Sequence, residues 1–144
     1  MNDELPHVYA LADLMPGMGA SVPFTVGEDE LWRFAELSGD YNPLHVDGAF
    51  ARSKGFEGKV VYGALLVAKV SQLIGMHLPG RDALWTRVTL DFVRPLYVDQ
   101  AARVDGVVEK VSASVGLMTL KIGIVTGNGL VLARGSAEVL LVER

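Results

Sequence analysis

Apolar positions change their rhythm part-way along the chain, from mainly helical spacing in the first half to alternation in the second. The segment GASVPFTV (19–26) alternates Val22, Phe24 and Val26 and predicts a strand. Pro23 has no amide proton, which restricts that strand to a sheet edge. EDELWRFAELSG (28–39) brings Leu31, Phe34, Ala35 and Ser38 to near-helical spacing, with acidic residues in its first turn and Gly39 at the C-cap position. A turn at DYNPLH (40–45) and a short helical piece, GAFARSKG (48–55), follow. The apolar segment 60–77 then predicts a helix kept slim by Gly63, Ala64 and Ala68 and closed by Pro79-Gly80. With apolar residues on nearly every side, it is a helix that other structure wraps. From residue 84 the pattern alternates, with Leu84, Thr86, Val88, Leu90 and Phe92 against Trp85, Arg87, Thr89, Asp91 and Val93. Further long strands lie in 101–113 and 115–142, the last two joined at Gly127–Gly129, where positive φ is tolerated. These elements predict an α+β domain in which an antiparallel sheet curls around one buried helix.

Composition narrows the picture without naming a chemistry. The chain has 144 residues, of which 50% are hydrophobic and 21% charged, the expectation for one domain (1–144) with one ordinary core. A net charge of −4 with no basic stripe argues against nucleic acid as a partner. Cysteine is absent, which excludes disulfides and thiolate metal sites. His7, His45 and His77 have no metal-like spacing, so no metal site is expected. Lys69, Ser71 and Gln72 interrupt the most apolar run, and the acidic start MNDELPH lacks the pattern of a secretory signal. A cytoplasmic protein without a membrane span is the expectation.

The candidate chemistry lies in SGDYNPLHVD (38–47), where Asp40 and His45 flank Asn42-Pro43. On one helix such a pair would diverge by roughly 140°. Pro43 instead pushes Asn42 out of the α region and forces a turn, so both side chains can face one small volume as an acid/base pair. The same residues admit a purely structural reading. Asp40 and Asn42 then make an Asx turn, and His45 is satisfied by a backbone carbonyl.

FAELSGDYNPLHVDGAFA (34–51) closely resembles the signature segment of the MaoC-like acyl dehydratases, which include the R-specific enoyl-CoA hydratases. The resemblance continues through FEGKVVYGALLVAKVSQLIG, LDFVRPLYVDQ and the terminal hairpin, nearly the whole chain. It implies a hotdog fold, a long helix wrapped by a curved antiparallel sheet, paired edge to edge as a homodimer or a higher homo-oligomer. It implies that Asp40 and His45 add water across a trans-2-enoyl thioester, Asp40 as base and His45 as donor, with the roles exchangeable. The backbone N–H of Gly63 becomes the oxyanion donor, and Ser71 orients Asp40. Asn42, Tyr62 and Ile74 are assigned to the substrate site. Tyr62 departs from the His that many family members carry before this glycine, which bears on the placement of the Asp40 loop and the width of the acyl pocket.

Coenzyme A then belongs to the substrate, with an acyl-carrier-protein thioester as its alternative, and no separate cofactor is expected. Arg52, Lys54, Lys59, Arg87 and Arg94 are the cations placed to meet its phosphates. A hotdog thioesterase and a non-catalytic acyl-thioester module are the competing readings.

Overall fold

A computed structural model of the chain describes residues 3–142. It contains a five-stranded antiparallel sheet in the order β1-β3-β4-β5-β2, with the strands β1 (Gly19–Thr25), β2 (Ala83–Phe92), β3 (Ala101–Ser112), β4 (Leu117–Thr126) and β5 (Val131–Leu141). The helices α1 (Glu28–Ser38), α2 (Pro43–Val46), α3 (Gly48–Ser53) and α4 (Gly63–Gln72) lie between β1 and β2 in the chain. A short 3₁₀ turn at Leu11–Asp13 precedes them, and a π turn at Leu73–His77 continues α4.

Each element has a local cause. β1 occupies the sheet edge that Pro23 requires, pairing with β3 alone, and buries Val22 and Phe24. Glu28, Asp29 and Glu30 stand in the first turn of α1, the Glu30 carboxylate accepts from the Gly27 amide, and Gly39 ends the helix at φ 75°. The Asn42 side chain accepts from the Leu44 amide and Pro43 follows at the first helical position, so the predicted turn continues into one turn of helix, α2. Asp47 does the same for α3 through the Phe50 amide.

The core lies between α4 and the curved face of the sheet. Leu65, Leu66, Val70, Leu73 and Ile74 meet Val104, Val108, Met118, Leu120, Ile122 and Ile124, all buried. Burial of each such side chain contributes about 1.5–3 kcal/mol. Gly106 lets the helix come this close, since a Cβ there would lie 2.8 Å from Leu73 Cδ2. Among the described residues no helix is long and apolar enough to cross a membrane.

Two expectations shift in detail. The apolar segment turns helical only at Gly63, because Val60 is bridged to Tyr97 and the Val61 amide is held by the Leu96 carbonyl. The alternation in β2 is broken by a bulge between Trp85 and Arg87. Trp85 pairs with Val139 and Val88 with Ala137, both buried partners, so the bulge turns Trp85 to the same inner face as Val88 and Phe92.

Candidate active site

The turn before α2 is built from its own side chains. The Ser38 hydroxyl donates to the Phe34 carbonyl and accepts from the Asp40 amide. One Asp40 carboxylate oxygen accepts from the Asn42 amide at 3.0 Å, and the Asn42 oxygen accepts from Leu44 at 2.9 Å. Asp40 is therefore held in an exposed Asx turn with its second oxygen open to solvent. On the outer side of the turn Tyr41 meets Trp32 edge to face at 5.7 Å.

His45 follows on α2, half-buried, and its Nδ1 lies 2.6 Å from the Val60 carbonyl. A carbonyl only accepts, so Nδ1 carries the proton. In the neutral ring, Nε2 then holds a free lone pair. The structural reading of the motif and the chemical one coincide here, because the carbonyl that satisfies the ring also sets its tautomer.

Gly63 begins α4 beside this imidazole. Its N-cap residue, Tyr62, gives no side-chain cap, and the Gly63 amide meets no acceptor among the described residues. An unpaired N–H at the positive end of a helix is suited to a developing oxyanion. His45 and Gly63 line one open cleft of about 390 Å³, together with Val60, Leu66, Phe92 and Arg94. A larger hollow near Val8, Arg81 and Val142 holds none of the motif residues.

Tyr62 is 2% exposed and lies behind the cleft. Its hydroxyl donates to the Asp40 carbonyl at 2.7 Å, and its ring stacks on His45 with centroids 3.9 Å apart and planes 26° apart. Burial, followed by the nearby Asp40 charge, raises the Tyr62 hydroxyl above its ordinary pKa, so it remains a donor at neutral pH.

Asp40 is not among the residues that line this cleft, and the other expected residues are dispersed. Asn42 uses its side-chain oxygen to cap α2. Ser71 faces outward from α4, with no hydrogen bond to Asp40 among the described residues. Ile74 is buried in the core at 2% exposure and does not line the cleft. Of the candidate cations, Lys59 pairs with Glu28 at 2.7 Å and Lys54 sits over the Phe50 ring, while Arg94 reaches the cleft. Sequence reasoning missed Val60 and Phe92. A backbone carbonyl leaves no mark in residue type, and Phe92 stood in a quoted segment without an assigned role. Among the described residues no group of three His, Cys, Asp or Glu side chains is arranged to hold a metal ion.

Comparison with known proteins bears on this arrangement. Residues 15–125 match the family model described as MaoC like domain. The chain belongs to the MaoC-like family. An (R)-specific enoyl-CoA hydratase from Aeromonas caviae is 34% identical over 125 residues, covering 87% of this chain and 93% of the relative. A protein of the same name from Rhodospirillum rubrum is 33% identical over 86 residues, 60% of each chain. Among solved structures, the (R)-hydratase from A. caviae superposes with a TM-score of 0.86 over 90% of this chain and 98% of its own, at 34% identity. An R-hydratase from Pseudomonas aeruginosa in the unliganded form gives 0.87 over 93% and 86%, at 28% identity. The MaoC-like domain adopted here is the hotdog fold, α4 wrapped by the antiparallel sheet.

Proposed function

We propose that this MaoC-like protein is an (R)-specific enoyl-CoA hydratase, interconverting trans-2-enoyl-CoA and (R)-3-hydroxyacyl-CoA. The observation that carries the chemistry is one cleft lined by both an imidazole with Nε2 free and the unpartnered amide of Gly63. In this reading the thioester oxygen sits on the Gly63 N–H, and Asp40 holds the water through its open carboxylate oxygen. Neutral His45, protonated at Nδ1, accepts the proton of that water at Nε2. The water oxygen bonds the β-carbon as the double-bond electrons move to the thioester oxygen. Nε2 then returns the proton to the α-carbon as the electrons on the thioester oxygen move back, so the hydroxyl of the water ends on the β-carbon and its other hydrogen on the α-carbon. In this reading His45 makes both transfers and Asp40 orients the water, one of the two divisions left open by the exchangeable roles of the pair. Coenzyme A enters only as part of the substrate, and Arg94 is the cation at the cleft.

The same reading takes residues 1–144 as one functional domain, working in the cytoplasm as a homodimer. The free edge of β2 supports the dimer, as do the exposed Val88 and Phe92 on that strand and the exposed Ala64, Ala68 and Ser71 on α4. Ser71 remains the proposed orienting group for the Asp40 site in the assembled protein.

Loss of enoyl-thioester absorbance with crotonyl-CoA and a longer enoyl-CoA tests the reading, with a thiol reagent present to trap free coenzyme A. Wild type is expected to consume the enoyl group without thiol release, and Asp40→Ala and His45→Ala to lower kcat by about 10²–10⁴-fold. Thiol release would replace the hydratase with a thioesterase. Turnover confined to acyl-carrier-protein thioesters would change the carrier and keep the reaction.

A further inference from the structure

Three parts of the site come from two stretches of chain: the turn that bears Asp40 and the helix it leads into, which bears His45, and the start of α4 at Gly63. Relative placement to within a fraction of an ångström is what such chemistry requires, and misplacement by about 1 Å can cost about 10²-fold in rate. Asn42 ties Asp40 to His45, donating its amide to the Asp40 carboxylate and accepting from the His45 amide, but among the described residues Gly63 is hydrogen-bonded to neither, so something else must fix its spacing from them.

One residue touches all three. The Tyr62 hydroxyl donates to the Asp40 carbonyl at 2.7 Å, its ring stacks on the His45 imidazole at 3.9 Å, and its own carbonyl begins α4 by accepting from Leu65 and Leu66. The ring cannot drift, because it is 2% exposed and backed by Phe34 at 4.8 Å. The stack also completes the immobilisation of His45. The bond from Nδ1 to Val60 fixes one edge of the imidazole, but an edge alone permits tilting about that bond. A ring 26° from parallel against one face stops the tilt.

We infer that Tyr62 is a positioning residue that clamps the Asp40 turn, the His45 ring and the Gly63 amide into one geometry, and that it makes no contact with substrate. This inference rests on the hydratase reading for its kinetic consequence but not for its structural one. The two functions of Tyr62 separate chemically. Tyr62→Phe keeps the stack and removes the bond to the Asp40 carbonyl, whereas Tyr62→Leu removes both.

The test pairs steady-state kinetics on crotonyl-CoA with ¹⁵N NMR of the imidazole nitrogens, His45 being assigned by its absence in His45→Ala. Expected for Tyr62→Phe is a kcat about tenfold lower at a KM within about twofold of wild type, and for Tyr62→Leu a kcat about a hundredfold lower, again with little change in KM. In the NMR spectrum the neutral wild-type imidazole should show a protonated Nδ1 and a bare Nε2. Tyr62→Leu should average the two nitrogens as the ring frees itself. A merely packed tyrosine would lower thermal stability and leave both the kcat-to-KM split and the tautomer unchanged. That result, or a raised KM at constant kcat, overturns the inference. If Tyr62→Leu fails to fold, Tyr62→Phe decides by kcat alone. If wild type shows no turnover, the hydratase reading falls and the NMR comparison still decides whether Tyr62 locks the ring.

Discussion

At the level of single residues, the site is legible in part and for a stated reason. Asp40, Asn42-Pro43 and His45 announce themselves because a turn with a rigid proline and two proton-moving side chains is a pattern of residue types. Val60 does not, since any residue in that place would offer the same carbonyl to His45. Gly63 is legible as a helix start and opaque as a contact. A Cβ there would lie 3.2 Å from the Phe92 ring. Gly63→Ala should therefore push the ring and disturb the oxyanion position while helix propensity rises by about 1 kcal/mol. The expected outcome is a kcat lowered about tenfold to a hundredfold with the melting temperature unchanged or raised, read from kinetics and a thermal melt on one preparation. A variant that melts early and turns over normally would remove Gly63 from the chemistry.

Among the elements, periodicity placed the strands and helices because each buries one face of a regular repeat, as β4 does with Met118, Leu120, Ile122 and Ile124. The bulge at Trp85–Arg87 escaped it. One extra residue leaves composition untouched and reverses which face the neighbouring side chains meet. Close approach of strands escaped it as well. At Gly135 on β5, between β2 and β4, a Cβ would overlap the Thr89 carbonyl oxygen and lie 2.9 Å from Leu90 Cα. These are backbone atoms of the paired strand and have no rotamer by which to yield. Gly135→Ala is expected to cost about 1–3 kcal/mol, measured as a lowered midpoint of urea unfolding with an unchanged m-value. An unchanged midpoint would mean that β2 moves aside at no cost.

For the molecule as a whole, the sheet ends on one side at β1, whose proline blunts it, and on the other at β2, whose outer edge is free. Leu84, Val88, Phe92 and Val93 are exposed along β2 and its end, the surface on which the proposed homodimer rests. Val88→Lys adds a charge to that edge without entering the core. It is expected to shift the proposed homodimer to monomer in sedimentation velocity, with the circular dichroism of the folded chain retained. A dimer that survives the change would place the interface elsewhere.

Sequence by itself determined the order of the main strands and helices, the edge position of β1, the helix that the sheet surrounds and the motif proposed to carry the chemistry. All of these follow from local sterics, from the period of burial or from residue type. Tertiary structure alone decided which nitrogen of His45 is protonated, which amide of α4 stands open in the cleft and which ring holds the imidazole flat. These depend on Val60, Gly63 and Tyr62 arriving from a different part of the chain. A hydrogen bond or a ring stack between distant segments is fixed by how the core packs them together, and no local pattern of residues encodes that distance.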